Sequence, residues 1–283
     1  MERVLSAFLI AFILSFLAYY FRLILRSSAI ASFLISFAVL LGAGIQGLIV
    51  LALFFPITTH MSLAIRRTIE RRHARVGYEV RLSEDELMGL PKDRPRLKPD
   101  WLQVSANGVV GSVFALLYFL QENALGAQPN GDGVSLFSFF ASLNASFQKD
   151  SPLICGFLAS IASAASDTAS HEIGITSRGK TILLTNFKEV LPGTIGGVSL
   201  LGTFSATVTI LIFVIAGFLL GMLQTPLAFL IVFILAYLGN VADSIFGALF
   251  EKKLKFWDNN LTNLVATFIA GFCAYLCANY LLR

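Results

Sequence analysis

The chain has 283 residues, of which 56% are hydrophobic and only 13% are charged. A typical soluble domain carries roughly a quarter charged residues, whereas the mean hydropathy here is +0.77. These values exclude an ordinary soluble domain. They predict an all-α, polytopic integral membrane protein in which residues 1–283 form a single membrane domain. The net charge of +4 comes from loops that flank apolar runs, so nucleic-acid binding is not expected.

Hydropathy predicts about seven transmembrane helices, since about 20 apolar residues suffice to cross a bilayer. The second apolar stretch is long for one helix and holds three glycines, so it fits one tilted helix or two half-helices broken at the glycines. Broken membrane helices are tolerated only where the freed backbone faces protein or water. The predicted spans are Leu5–Phe21, Ala29–Pro56, Val104–Leu120, Leu153–Ser166, Val198–Leu223, Pro226–Phe250 and Leu261–Leu282.

Residues 62–100 are the one clearly water-soluble segment and carry ten basic residues. Because Lys and Arg favour cytoplasmic loops, this segment is predicted to be a basic cytoplasmic loop beside anionic lipid. The loop charges then alternate along the chain. Residues 167–197 and 251–260 fall inside, and residues 121–150 fall outside.

Two arginines test this topology at the start of the second span. Arg22 and Arg26 lie outside if Ala29–Pro56 crosses once, and inside if that stretch forms a hairpin. The sequence leaves both arrangements open.

Residues 163–199 hold a dense group of polar residues and form the candidate active-site loop. An apolar run ends at Asp167, and Glu172 and Lys188 follow before a glycine-rich turn. Ionisable groups at the end of a membrane helix are costly to place there, so they indicate function by default. We assign catalytic roles to these residues and to Asp243, which lies in a similar acid–hydroxyl pair near the end of a later apolar run.

The glycine-rich turn lies directly before the fifth span. A helix N-terminus favours anions, and small residues let a phosphate approach the backbone closely. The turn lacks the Gly-Lys-Ser/Thr ending of a Walker loop. Because the turn combines small residues with a helix N-terminus, we still expect it to hold the phosphates of a nucleotide. A side chain at Gly196 should then block them. The residues assigned to this role are Gly193, Thr194, Gly196, Gly197 and Ser199.

Carboxylates and amides from five spans fall near the same membrane face in this topology. Magnesium prefers oxygen ligands, usually one or two carboxylates together with substrate phosphates. Asp167, Asp243 and Asp258 are the predicted ligands. Neutral amides for binding phosphate, ribose or a nucleobase come from Asn107, Asn259 and Asn263.

Five short motifs follow one another along the chain. They are Gln103-Val104 with Ala106-Asn107-Gly108, Asp167-Thr168 with Glu172-Ile173-Gly174, Pro192 to Ser199, Asp243-Ser244 with Gly247-Ala248, and Asp258-Asn259-Asn260 with Asn263. Together they resemble the motifs of the DUF92 family, which includes the transmembrane protein 19 group and plant and cyanobacterial phytyl-phosphate kinases. Ala169 stands where Trp is usual, and Ile195 stands where Asn is usual.

The resemblance implies a membrane kinase that converts an isoprenoid monophosphate, such as phytyl or geranylgeranyl phosphate, to its diphosphate. It implies Mg²⁺ and a nucleoside triphosphate, with CTP preferred to ATP, because it suggests kinship with dolichol kinases and CDP-diacylglycerol synthases. The expected partners are the isoprenoid lipid, the nucleotide and membrane lipid. The expected location is the membrane, with the active site near the cytoplasmic face. The oligomeric state is left open.

Two other functions fit the same residues. A transporter or lipid-handling protein without chemistry would use its polar groups to line a path, with its site near the bilayer midplane. A cytidylyltransferase that forms a CDP-lipid would share the nucleotide and the metal with the kinase. Only the products separate these two enzymes.

The topology gives a direct test by cysteine labelling. In a background that lacks the native cysteines, single cysteines at Arg75, Arg178 and Lys253 should react with an impermeant reagent from the same, cytoplasmic side. Reaction of any one of them from the opposite side would contradict the shared face.

Overall fold

The structure, a computed structural model, describes residues 2–76, 99–124, 145, 147–251 and 253–282, with the helical backbone alone for residues 55–76. Seven helices make up most of these residues. They are α1 (Glu2–Tyr20), α2 (Arg26–Val76), α3 (Trp101–Ala124), α4 (Pro152–Gly174), α5 (Leu200–Leu219), α6 (Pro226–Phe246) and α7 (Asn259–Leu281). A π-helical turn, Gly247–Glu251, continues α6.

All seven of these helices are long and apolar enough to cross a membrane, α2 over residues 26–54. The predicted all-α polytopic fold is therefore confirmed. Helix α4 extends further than predicted, since it ends at Gly174 rather than at Ser166. Neighbouring helices accommodate its polar last turns. The Ser205 hydroxyl of α5, for example, donates to the Ala169 carbonyl over 3.1 Å.

Helix α4 is the central helix of the bundle, and 78% of its most apolar 18-residue stretch is buried. Its buried positions are mostly small residues, which let helices approach closely in lipid. Gly239 of α6 stands directly against Ser163 of α4 and Ala270 of α7, so a Cβ atom at this glycine would collide with both. Three helices therefore meet here with almost no side chain between them.

The helix starts follow from local capping. The Ser199 hydroxyl accepts the Gly202 amide at the start of α5 over 3.1 Å. The Asp258 carboxylate accepts the Leu261 amide at the start of α7 over 2.9 Å. Ser and Asp are common at such positions because their side chains satisfy helix amides that have no partner within the helix.

Helices α3, α5 and α7 begin, and α4 and α6 end, at one end of the bundle, which we call the site end. The Thr267 hydroxyl in α7 lies 3.5 Å from the Ala106 carbonyl near the start of α3. The start of α2 lies at the site end too, because the Ser28 hydroxyl donates to the Pro99 carbonyl over 2.6 Å. We call the opposite end the far end.

Arg22 and Arg26 lie at the site end, because α2 begins beside the start of α3. This is the placement that the hairpin alternative requires. Helical geometry is interrupted at Gly44, whose φ is 62° and ψ is −158°, as the alternative of two half-helices expects. Helical backbone continues to Val76, inside the predicted basic loop, while residues 77–98 of that loop lie outside the described residues.

A largely buried ion pair holds the far end together. Arg3 of α1 lies 3.1 Å from the Glu122 carboxylate of α3, and their side chains are 16% and 11% exposed. A second guanidinium nitrogen of Arg3 donates to the Gly42 carbonyl over 3.2 Å, close to the break at Gly44. Arg3 therefore ties α1, α2 and α3 together beside the broken helix, where backbone groups need partners.

Three short strands lie between α4 and α5, in the predicted active-site loop 163–199. Strand β1 (Thr181–Leu183) pairs in antiparallel fashion with both β2 (Glu189–Val190) and β3 (Gly197–Ser199). The sheet thus links the end of α4 to the residue that caps α5.

Removal of Arg3 tests the clamp at the far end. Arg3→Met leaves Glu122 buried without its cation, which typically costs about 3 kcal/mol. We expect the midpoint of thermal unfolding in detergent to fall by several degrees. The double variant Arg3→Met/Glu122→Met should recover most of that loss, and substitution of the exposed Glu2 by Gln should have no effect. An unchanged midpoint in Arg3→Met would show that the pair contributes little.

Candidate acidic site at one end of the helix bundle

Asp167 and Asp243 meet at the site end. Residues four apart share a helix face, so Asp167 lies one turn beyond Ser163 and Asp243 one turn beyond Gly239. The close contact between that serine and that glycine brings the two acids together. Their carboxyl groups are close enough to interact directly. The sequence predicted a shared membrane face for these acids, and helix packing makes them a pair.

The pair needs a positive partner. Two carboxylates in a partly dehydrated site repel each other unless a proton or a cation lies between them. Oδ1 of Asp243 is fully buried and has no hydrogen-bond partner in the described part of the chain. Buried polar atoms almost always have partners, so such an atom indicates a site for a ligand, a water molecule or an ion. The arrangement therefore fits a bound metal ion.

Two buried amides lie at the same end of the bundle. Asn107 of α3 and Asn263 of α7 are 8% and 6% exposed. The side-chain oxygen of each lacks a hydrogen-bond partner among the described residues. Asn107 follows Ala106, and Asn263 lies one turn before Thr267, so the contact between Ala106 and Thr267 puts both amides at the site end. Both were predicted from the sequence to bind a ligand.

A short hydrogen-bond chain fixes α4 against α6 beside the acid pair. The Asn240 amide donates to the Ser170 hydroxyl over 3.3 Å. That hydroxyl in turn donates to the backbone carbonyl of Asp167 over 3.0 Å. Because Asn240 lies three residues before Asp243 on α6, this chain holds the backbones of both acids in register.

A third acid, Glu251, was not assigned to the site from the sequence. It ends the π-helical turn after α6, and its carboxylate accepts the Thr262 hydroxyl over 2.7 Å. The Trp257 indole donates to the same hydroxyl over 3.0 Å. Glu251 also lies within electrostatic range of Asp167. The sequence signal for Glu251 was its position as an acid at the end of an apolar run. The π-helical turn that directs this side chain inward was not predictable from residue spacing.

Asp258, the third predicted metal ligand, occupies a different position. Its carboxylate caps α7 and accepts the Asn260 amide over 3.2 Å as well as the Leu261 amide. No group of three acids, histidines or cysteines among the described residues is arranged to hold a metal ion. The structure thus brings together two of the three predicted acids, with two buried amides at the same end of the bundle. The ligand-binding role of Asn259, the exposed first residue of α7, stays a prediction.

The two other predicted catalytic residues stand apart from the pair. Glu172 is half-buried in the last turn of α4, and it forms no hydrogen bond or ion pair with the described part of the chain. Lys188 is exposed in the turn between β1 and β2, where its backbone amide donates to the Asn186 side chain over 3.0 Å. Their catalytic roles stay predictions.

The glycine-rich turn contacts α6 directly. Gly196 has a φ of 72°, and a Cβ atom there would lie 2.5 Å from the Ser244 carbonyl oxygen and 2.5 Å from the Ala248 Cβ. Because Gly196 has no side chain, the turn can pack closely against the backbone of α6. The glycine is therefore needed for packing within the protein, whether or not a ligand also binds there. Through this contact the turn packs against Ser244, the residue that follows Asp243.

Other groups of the turn are used within it. The Gly197 amide donates to the Thr194 carbonyl over 2.8 Å. The Thr194 hydroxyl donates to the Leu191 carbonyl over 2.8 Å. Gly193 has a φ of 92°, and a Cβ atom there would make only an ordinary contact with Ile175. Phosphate binding by this turn stays a prediction.

The fold and the site define a polytopic α-helical membrane protein with a buried pair of acids at one end of its bundle. The family described as integral membrane protein DUF92 matches residues 9–271 of the chain. The chain belongs to this family.

Three relatives align with less than half of the chain each. An uncharacterized membrane protein of Methanocaldococcus jannaschii is 38% identical over 128 residues, which are 44% of this chain and 50% of the relative. Protein VTE6, chloroplastic, of Arabidopsis thaliana is 32% identical over 130 residues, 45% of this chain and 39% of the relative. An uncharacterized membrane protein of Synechocystis is 27% identical over 122 residues, 43% and 47% of the two chains.

The matched part of this chain spans half or less of the length of each of these relatives. No solved structure matches the chain.

Substitution of Gly196 tests its packing role against a matched glycine. Gly196 and Gly221 both have a φ of 72°, but nothing lies within 4 Å of a Cβ atom at Gly221. Gly221→Ala should cost about 1 kcal/mol of stability from backbone strain alone. Gly196→Ala should cost clearly more, because its Cβ also collides with α6. Thermal unfolding of both variants in detergent measures the difference, and equal losses would refute the packing role.

Proposed function

We propose that this protein is a membrane-embedded lipid-phosphate kinase. It transfers a phosphoryl group from a nucleoside triphosphate, with CTP preferred to ATP, to an isoprenoid monophosphate such as phytyl or geranylgeranyl phosphate. The observation that supports this most is the acid pair of Asp167 and Asp243, together with the unpaired amide oxygens of Asn107 and Asn263 at the same end of the bundle. Membership of the DUF92 family supports it independently.

The position of the pair suits a lipid phosphate. Asp167 lies two turns before the end of α4 and Asp243 one turn before the end of α6, so the pair is displaced from the middle of the bundle towards the site end. An isoprenoid chain can then stay among lipid tails while its phosphate reaches the acids and a soluble nucleotide approaches from the aqueous side. The basic loop charges favour the cytoplasmic side for this end.

Magnesium fits the donor set of the site. Mg²⁺ takes oxygen ligands, commonly one or two carboxylates with water and substrate phosphates. Asp167 and Asp243 would supply the carboxylates, and Asn107 and Asn263 supply neutral oxygens without other partners among the described residues. When bound, the ion would neutralise the charge of the phosphates and of the acid pair.

The reaction depends mainly on how the two substrates are positioned. An oxygen of the lipid monophosphate attacks the terminal phosphorus of the nucleotide, the bond to the bridging oxygen breaks, and a nucleoside diphosphate leaves. The attacking phosphate is already anionic, so no general base has to remove a proton. Phosphoryl transfer of this kind depends on alignment and charge neutralisation, and the rigid contact of α4, α6 and α7 provides alignment.

The two alternative functions make different demands. A cytidylyltransferase would use the same residues, but the lipid phosphate would attack the innermost phosphorus of CTP and release pyrophosphate. A transporter would place its polar site near the bilayer midplane. In the described residues, the layer just beneath the acid pair is filled by the tight contact of Ser163, Gly239 and Ala270. That packing favours an enzyme over a path through this part of the bundle.

Product analysis tests the proposal directly. Purified protein with Mg²⁺, phytyl or geranylgeranyl monophosphate and either CTP or ATP should give the lipid diphosphate and a nucleoside diphosphate, detected by mass spectrometry. A CDP-lipid with pyrophosphate would establish the cytidylyltransferase instead. Absence of any product under saturating conditions would contradict both enzymes.

The acid pair can be tested in the same assay. Asp167→Asn and Asp243→Asn should each lower turnover by at least about a hundredfold, because each removes a charge that the metal and the phosphates share. Substitution of Glu2, an exposed acid at the far end, by Gln is the matched control and should retain turnover. Near-normal turnover in either aspartate variant would remove that residue from the site, provided that thermal unfolding shows a folded protein.

A further inference from the structure

A second candidate site lies on the sheet between α4 and α5, outside the acid pair. A cleft of about 380 Å³ is open to solvent there. Its size is within the range of small-molecule pockets, roughly 300 to 1,000 Å³. The residues that line it are Ser177, Arg178, Gly179, Thr181, Glu189, Val190, Leu191 and Pro192.

One buried hydroxyl in this cleft has no partner. Thr181 is 3% exposed, and its Oγ1 has no hydrogen-bond partner in the described part of the chain. Ser177 is also buried, but its hydroxyl already accepts the Gly179 amide over 3.2 Å. A buried polar atom without a partner is uncommon in proteins. Thr181 therefore has unused hydrogen-bonding capacity in the wall of the cleft.

The rest of the lining combines charge with apolar surface. Arg178 is exposed and forms no hydrogen bond or ion pair with the described residues, so its guanidinium is available to a ligand. Val190, Leu191 and Pro192 supply apolar surface beside these polar groups. The Glu189 carboxylate lies 3.2 Å from the Lys180 ammonium group and can accept a further hydrogen bond from a hydroxyl or amino group. This mixture matches a nucleoside, which has a flat base and a ribose with two hydroxyls, better than it matches a bare phosphate.

The glycine-rich turn connects this cleft with the acid pair. On one side, Gly193 lies beside Ile175, two residues before Ser177 of the cleft. On the other side, Gly196 contacts the backbone of Ser244, the neighbour of Asp243. The three peptide units from Gly193 to Gly196 span at most roughly 11 Å. A nucleotide seated in the cleft can therefore extend its phosphates across the turn towards the acids.

We infer that the cleft binds the nucleoside part of the nucleoside triphosphate. Thr181 donates or accepts one hydrogen bond with the base or the ribose, and Arg178 contacts the base or the first phosphate. This inference rests on the proposed kinase function, and it assigns to the sheet a role that neither the acid pair nor the glycine-rich turn fills. The lipid monophosphate does not enter the cleft.

Nucleotide binding tests the cleft separately from turnover. Isothermal titration of the full-length protein in detergent with CTP or ATP, with Mg²⁺ or with EDTA, gives the dissociation constants. Thr181→Val and Arg178→Gln should each weaken CTP binding by at least about fivefold, the loss expected for one buried or charged hydrogen bond. Thr181→Ser keeps the hydroxyl and should bind like the wild type. Substitution of Lys255, an exposed cation outside the cleft, by Gln should also have no effect.

Two further ligands identify what the cleft recognises. Inorganic tripolyphosphate should bind to Thr181→Val as it does to the wild type, because it lacks a nucleoside. Phytyl monophosphate should bind equally to both proteins. Unchanged CTP affinity in folded Thr181→Val and Arg178→Gln proteins would overturn the inference. A loss confined to phytyl monophosphate would overturn it as well, because the cleft would then hold the lipid headgroup.

The outcomes also separate this inference from the proposed function. If the wild type forms no product but binds CTP in a manner sensitive to Thr181→Val, the kinase proposal fails and the nucleoside cleft stands. If the wild type forms product while both cleft variants bind CTP and turn over normally, the cleft assignment fails and the kinase stands. Asp167→Asn should lower turnover by at least about a hundredfold and retain CTP binding in EDTA.

Discussion

Two carboxyl groups, those of Asp167 and Asp243, are held side by side at the end of a membrane helix bundle, and much of the surrounding architecture serves this contact. Like charges at such a separation repel, so the helices that carry them need an independent reason to approach. Gly239 supplies it by letting α6 touch Ser163 of α4. The hydrogen bond from Asn240 to Ser170 then fixes the two helices near the acids.

The segment between α4 and α5 brings further chemistry to this end. Its three short strands place Thr181 opposite Ser199, the residue that caps α5. The glycine-rich turn between β2 and β3 packs on the backbone after Asp243 through Gly196. The same segment thus has a structural function, as a connector that holds α5 and α6 in place, and it also forms the wall of a cleft. In this segment, Gly196 allows close packing against α6, whereas a Cβ atom at Gly193 would make only an ordinary contact.

The two ends of the bundle have different roles. At the far end, Arg3 and Glu122 neutralise each other and support the break in α2 near Gly44, while Nε of Arg3 and Oγ of Ser151 also lack partners in the described residues. At the site end, Asp243, Asn107 and Asn263 each keep a buried oxygen without a partner in the described residues. Polar groups that satisfy each other stabilise a fold, whereas buried groups left without partners are available to a ligand. The structural basis for assigning chemistry to the site end is that its unpartnered oxygens accompany a pair of acids with no cationic side chain of the described residues between them.

The sequence by itself determined the membrane-spanning class, the seven helices and the set of polar residues that share one end, because hydropathy and loop charge depend on local composition. It also singled out Asp167, Asp243, Asn107 and Asn263 as candidates from motif and position. Only the tertiary structure decided that the two aspartates form a pair while Asp258 caps α7, and that Glu251 turns inward on a π-helical turn. It also decided that Gly196 faces α6 and that the predicted loop contains a sheet. These features depend on which helix faces contact each other. Packing between segments that are distant in the chain determines those contacts, and the hydrophobic period of a single segment does not.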